Sequence, residues 1–153
     1  MGEHVLGEWG GKQEHGRDGL IAGRVAERLG LPLFETGLVG EQGGVEHDGA
    51  GLVLARASSW LGAGRNDLSL ATIGDRLCAA FGGSRMIWGP GLADQDITDF
   101  HIDALARFTA PGKLLIQIGD EPVSGDLWGT DAIAEMGGGI HCATQQQPRS
   151  RST

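Results

Sequence analysis

Apolar side chains at Leu20, Ile21, Val25 and Leu29 recur at the spacing of one helical face. Asp18 stands where an N-cap belongs, and Gly30 with Pro32 behind it supplies a stop, so a helix is predicted over 18–29. The short apolar pieces 31–34 and 38–39, set off by glycines, predict brief strands. Residues 42–48 and 52–56 flank an Asp48-Gly49 turn signal and predict a β-hairpin, with Glu46 and His47 on opposite faces of its first strand. Leu70, Ile73, Leu77 and Ala80 share one face of a helix over 68–81, which Gly82-Gly83 ends before a strand at 84–88. The order β-β-α-β over 42–88 predicts an α/β fold. A second unit opens with a hairpin of 101–110 and 114–118 around Ala110-Pro111-Gly112-Lys113. Outside these segments the pattern fades. Residues 1–17 read as an irregular lead-in with Trp9 as its anchor, 119–130 as an acidic, turn-rich link, and 131–136 as a helical turn or two.

Composition narrows the function classes. A chain of 153 residues predicts one domain. Its 20 acidic and 12 basic side chains give a net charge of −8, which disfavours nucleic acid and mildly favours small cations. No apolar run is long enough to cross a bilayer and the first residues lack a signal-peptide pattern, so a soluble, cytoplasmic protein with no membrane partner is expected. Two cysteines do not make a disulfide framework. Glycine, at 28 residues, exceeds twice the usual share of about 7%, which implies many tight turns and reduced stability.

Two stretches could carry chemistry. Gly137-Gly138-Gly139-Ile140-His141-Cys142 presents a thiol at the end of a sterically bare turn, where a neighbouring histidine could activate it. The plainer alternative is a flexible tail with an incidental cysteine. Residues 94–103 gather Asp94, Asp96, Asp99 and Asp103 around His101. If His101 begins a strand, Asp103 faces the same side, and carboxylates nearby favour a protonated imidazole that can act as an acid. An acidic surface loop and a divalent-cation site are the alternatives. Cys78 reads as a small core residue, and His4, His15 and His47 as solvated or structural.

The segments DITDFHIDALARFTAPGKLL (96–115), QGGVEHDGAG (42–51) and GGGIHCATQQQP (137–148) resemble the agmatine deiminase family, related to bacterial-type peptidylarginine deiminases. They occur in the family's order, and residues 9–37 resemble the stretch before the glycine-rich block. The resemblance implies a guanidine hydrolase of the pentein fold, a propeller of strand and helix modules around a central site. It implies Cys142 as the nucleophile on the guanidinium carbon, and His101 as the acid for departing ammonia and then the base for water. Asp103 is implied as a catalytic, guanidinium-gripping carboxylate, with Asp99 and Glu46 also on the substrate side and Glu46 in a less defined role. The implied substrate is agmatine, a small dication converted to N-carbamoylputrescine and ammonia in polyamine synthesis. No metal or cofactor is implied.

The departures from the family pattern also carry expectations. No aromatic-rich Arg-Asp segment precedes Trp9, the link 119–136 is much shorter than in the family, and Phe100 replaces the small residue usual before the histidine, where it could block the substrate channel. Residues 1–153 therefore read as one incomplete deiminase-like domain of about two strand-strand-helix-strand modules, a partial pentein-type propeller. Exposed apolar faces are expected, covered by partner copies in a homo-oligomer if at all. An inactive remnant or binding fragment, and a peptidyl-arginine deiminase, are the alternative functions.

Overall fold

The computed structural model describes residues 8–13, 16–62, 64–94 and 96–116. The architecture is carried by helix α1 (Ile21–Leu29), strands β1 (Val45–His47) and β2 (Leu52–Arg56), helix α2 (Leu70–Phe81), strand β3 (Arg85–Gly89), and the strands β4 (Ala106–Ala110) and β5 (Lys113–Ile116). Strand β2 lies between antiparallel β1 and parallel β3. A parallel neighbour needs a crossover, and α2 supplies it, so the β-β-α-β unit read from the pattern is present.

Side-chain alternation along β2 divides the interior in two. Val53 and Ala55 point to one face, where Ile73 and Leu77 of α2 join Val45 and Trp60 in the main core. Gly74 lets the helix approach β3, since a Cβ there would meet Met86 Cγ at 3.2 Å. Leu54 points to the other face and packs with Ile102 and Ala106. The ends of α2 are set locally: the Ser69 hydroxyl accepts a hydrogen bond from Thr72 N–H, and Gly82 closes the helix at φ 65°. Of the expected inner face, Ile73 and Leu77 are buried with Gly74, while Ala80 is exposed. Cys78 packs half-buried against the main core.

The first hairpin turn is built by Asp48, whose Oδ1 accepts Ala50 N–H at 2.8 Å and Leu52 N–H at 2.9 Å. Its Oδ2 accepts Gly112 N–H at 3.0 Å, which ties the tips of the two hairpins together. These backbone hydrogen bonds, that from Ala50 foremost, hold the Asp48 carboxyl below its ordinary value.

Three expectations are corrected. Helix α1 starts at Ile21 after a 3-10 turn (Asp18–Leu20), its N-cap position is Leu20, and Leu20 offers no side-chain cap. Its apolar face is open, with Leu20, Ile21, Val25 and Leu29 exposed and only Ala26 of the helix buried. Residues 31–34 and 38–39 form no strand. Asn66 takes the place of a neighbouring strand for Val39: its Oδ1 accepts Val39 N–H at 2.9 Å and its Nδ2 donates to Val39 O at 2.7 Å. Finally, His101 does not begin a strand. It precedes a 3-10 turn (Ile102–Ala104), and β4 starts only at Ala106. The second hairpin otherwise stands as read, while residues 117–118 and the remainder of the second unit lie outside the described residues.

Candidate active site

Parallel strands β2 and β3 deliver their following loops to the same end of the sheet, the end at which antiparallel β1 begins. That topology brings together the segment 40–44, the loop after β2 and the loop after β3.

Segment 40–44 is laid flat on Trp60. The indole Nε1–H donates to Gly44 O at 2.8 Å, and a Cβ at Gly40 would lie 2.4 Å from the Trp60 ring, so only bare backbone passes there. The segment thereby holds Glu41 and Gly43 in fixed positions. Glu41 Oε1 accepts Trp9 N–H at 2.8 Å, and Oε2 accepts from both Arg65 Nη1 and His101 Nε2, the latter at 3.1 Å. Burial works against the Glu41 charge, but the hydrogen bonds from His101 and Arg65 and their charges outweigh it, leaving the carboxyl below its ordinary value.

The loop after β3 is organised by its own aspartates. Asp96 Oδ1 accepts Thr98 N–H, the Thr98 hydroxyl and Phe100 N–H at 2.7, 2.8 and 2.9 Å. Thr98 Oγ1 in turn accepts His101 N–H at 3.1 Å. Asp99 and Phe100 both take left-handed backbone, at φ 59° and 62°, to turn the chain into His101. A small residue would suit the Phe100 position for that reason. The Phe100 ring lies under the Arg56 guanidinium, 5.0 Å from its centroid.

Asp99 is engaged on both oxygens. Oδ1 accepts Lys12 Nζ at 2.7 Å and Asp94 N–H at 3.0 Å, and Oδ2 lies 3.4 Å from Arg65 Nη2. Burial opposes its charge, yet the hydrogen bonds from Lys12 and Asp94 and the charges of Lys12 and Arg65 prevail and lower its pKa. Glu46 is buried and lies 3.4 Å from Arg107 Nε of β4. His47, one residue on, is exposed, with its ring centroid 5.1 Å from that of Phe81.

His101 and Asp103 converge on Gly43. A Cβ built there would lie 2.6 Å from His101 Nδ1 and 2.7 Å from Asp103 Oδ2, so the imidazole and the carboxylate close on the bare glycine and leave no room for a side chain. The shared surface arises from a 3-10 turn rather than strand alternation. Because an ionised Glu41 carboxylate only accepts hydrogen bonds, His101 Nε2 is the donor in that contact, and Nδ1 faces Gly43 beside Asp103. Among the described residues no three His, Cys, Asp or Glu side chains are grouped to hold a metal ion. Cys142, His141, His4 and His15 lie outside the described residues.

The sequence reading passed over Glu41, Gly43, Arg65 and Lys12. The available signal was a carboxylate just ahead of two glycines, Glu41-Gln42-Gly43-Gly44, a pattern that presents an acid on backbone other groups can approach closely.

Residues 5–129 match the Porphyromonas-type peptidyl-arginine deiminase family. A Vibrio parahaemolyticus protein provisionally assigned as an agmatine deiminase is 34% identical over 118 residues, 76% of this chain and 33% of that protein. A Legionella pneumophila protein with the same provisional assignment is 38% identical over 113 residues, 72% of this chain and 32% of its own. The solved agmatine deiminase of Enterococcus faecalis, described as catalysing its reaction, superposes with a TM-score of 0.69 at 26% identity, covering 78% of this chain and 35% of that one. The chain thus spans about a third of the length of these relatives and shares their mixed α/β fold. With most of its length inside the match and its described fold that of known deiminases, this chain belongs to the Porphyromonas-type peptidyl-arginine deiminase family.

Proposed function

We propose that the chain carries the guanidine-hydrolysing chemistry of its agmatine deiminase relatives, converting agmatine and water to N-carbamoylputrescine and ammonia. The observation that carries this reading is the convergence of His101 Nδ1 and Asp103 Oδ2 on bare Gly43, with His101 Nε2 tied to ionised Glu41. A guanidinium is a weak electrophile because its charge is delocalised, so it needs a strong nucleophile, an acid for the leaving amine and fixed counter-charge.

In this reading Asp103 grips guanidinium nitrogens beside Gly43. The Cys142 thiolate adds to the guanidinium carbon, and His101 Nδ1 gives its proton to the departing ammonia, leaving a thiouronium. The same Nδ1 then takes a proton from water as water adds to that carbon, and collapse breaks the C–S bond and returns the thiolate with the ureido product. Asp99, already engaged by Lys12 and Arg65, and Glu46, facing Arg107, act at a distance from the guanidinium by holding the loops around it. Phe100 shapes the approach to His101.

The finer architecture belongs to the same proposal: residues 1–153 form part of a pentein-type propeller, with 119–136 leading to the Cys142 loop. No helix among the described residues is long and apolar enough to cross a membrane, in keeping with a cytoplasmic enzyme of putrescine synthesis. The test is incubation with agmatine and assay of ammonia and carbamoylputrescine. Turnover that C142S abolishes is expected; a folded chain giving none overturns the reading. Arginine peptides in the same assay test a peptidyl-arginine substrate, which the family's description favours.

A second reading, a non-catalytic remnant, draws on the exposed apolar face of α1 with Leu31, Leu33 and Phe34 beside it. Size exclusion and hydrogen exchange discriminate: a compact species with residues 137–142 protected counts against the remnant.

A further inference from the structure

The Arg65 side chain is almost wholly buried, with 1% of its surface exposed, and lies between the two segments that supply Glu41 and His101. Its Nη1 donates to Glu41 Oε2 and to Ser59 O at 2.8 Å, and its Nη2 donates to Thr98 O at 3.0 Å and reaches Asp99 Oδ2 at 3.4 Å. The guanidinium fork thus joins the glycine-rich segment, the loop after β2 and the loop after β3. A lysine ammonium, a point donor, cannot span that separation with fixed geometry. Arg65 Nε is buried with no hydrogen-bond partner among the described residues. A buried donor left without a partner is unfavourable, so this placement is set by the fork and not by what best suits the arginine itself. Gly64 makes room for it: a Cβ there would fall 2.1 Å from Gly10 O, and the turn Glu8–Gly11 packs over the loop at that point.

We infer that Arg65 is the positioning residue that sets the His101 tautomer, by holding Glu41 as a carboxylate aimed at His101 Nε2 while fixing the carbonyl of Thr98 three residues before the imidazole. The inference rests on the proposed role of His101 but not on turnover. Glu41 faces Arg65, His101 and Trp9 N–H; Arg65 faces Glu41 and Asp99; Lys12 acts through Asp99. With Arg65 removed, the half-buried Glu41 loses its permanent counter-charge and the fork that aims its carboxylate at His101. Nε2 then has no fixed partner and the proton can settle on Nδ1.

The experiment is nitrogen-detected NMR of the histidine rings and carbon-detected titration of the glutamate carboxyls in the full chain, with R65Q and R65K beside the wild type and H101Q assigning the ring signals. In the wild type His101 should show one tautomer, protonated on Nε2. In folded R65Q a second tautomer should appear and the Glu41 midpoint should rise toward the ordinary carboxylate range. A folded R65Q with the ring pattern and Glu41 midpoint unchanged overturns the inference. Should R65Q fail to fold, R65K decides: its charge should hold the Glu41 midpoint while the lost fork lets the ring average between tautomers, and an unaltered ring overturns the inference. If the wild type fails to hydrolyse agmatine, the proposed function falls while these spectra still decide the role of Arg65.

Discussion

The helix-backed face of the sheet and its loop end are built on different principles. On the helix side, Val53, Ala55, Ile73 and Leu77 meet with hardly any exposed surface, and no polar partner is needed. At the loop end, Glu41, Arg65, Asp99 and His101 are also buried or nearly so, but each is held by named hydrogen bonds across long sequence separations. The apolar side tolerates approximate shape, whereas the polar side loses a full partner with any one residue. Stability should therefore be shared between the two, while the proposed function draws on the loop end and not on the helix-backed face.

The most severe way to test that division is to cut into each side once. E41A leaves the buried Arg65 with only the longer contact to the Asp99 carboxylate and should cost about 1.5–3 kcal/mol. I73A removes a fully buried side chain and should cost about 2–5 kcal/mol. Urea unfolding reads both. The two should part on function: the fraction of I73A that remains folded keeps wild-type turnover per molecule, whereas folded E41A does not. Equal activity per folded molecule in the two variants would erase the distinction.

G43A sharpens the comparison by acting where Gly43 meets His101 and Asp103. Gly43 is not in left-handed backbone, so the cost in stability, about 1–3 kcal/mol, comes from overpacking against those side chains and not from backbone strain. The new methyl must displace His101 Nδ1 or Asp103 Oδ2, and agmatine turnover or binding of a guanidinium analogue should fall by about 100-fold or more. Unchanged binding with unchanged stability would show that the ligand sits elsewhere.

The same division explains what was legible in the sequence. Strand β2, helix α2 and strand β3 follow from apolar spacing because burial of one face is what fixes them, and Ser69 and Gly82 mark the helix ends through local hydrogen bonds and backbone freedom. Helix α1 shows the limit of that signal: its period was readable, but a period does not say whether a face is covered. The strand expected at 38–39 failed because Asn66, nearly thirty residues on, satisfies the Val39 backbone. At the loop end His101 and Asp103 were readable as a pair, but through the wrong local structure. Glu41 and Arg65 were not, since nothing in the spacing of two residues 24 apart announces that one oxygen will be shared between an arginine and a histidine.

The mildest test separates the two sides by acid. Glu41 and Asp99, and at the hairpin junction Asp48, all have folded-state pKa values below their ordinary ones. A carboxyl whose pKa is depressed by folding contributes stability that is present above its unfolded pKa and is lost as pH falls through the folded value. The apolar core has no such term. Between neutral pH and the ordinary carboxylate range stability should therefore change little on account of these groups, and below that range it should fall. D48N keeps a side-chain oxygen for the turn but removes the charge, and since Asp48 is only half-buried its effect at neutral pH should be the smallest of the set. Its acid limb should be slightly flatter than the wild type's. Amide exchange at Gly112, bonded to Asp48 Oδ2, reads this directly: it should quicken as pH drops through the Asp48 titration, beyond the intrinsic pH dependence of exchange, while Ile73 and Leu77 amides follow only global unfolding. Core amides that tracked the Asp48 titration would mean that the hairpin junction and the helix-backed core open as one unit, and the two regions would then not be energetically distinct.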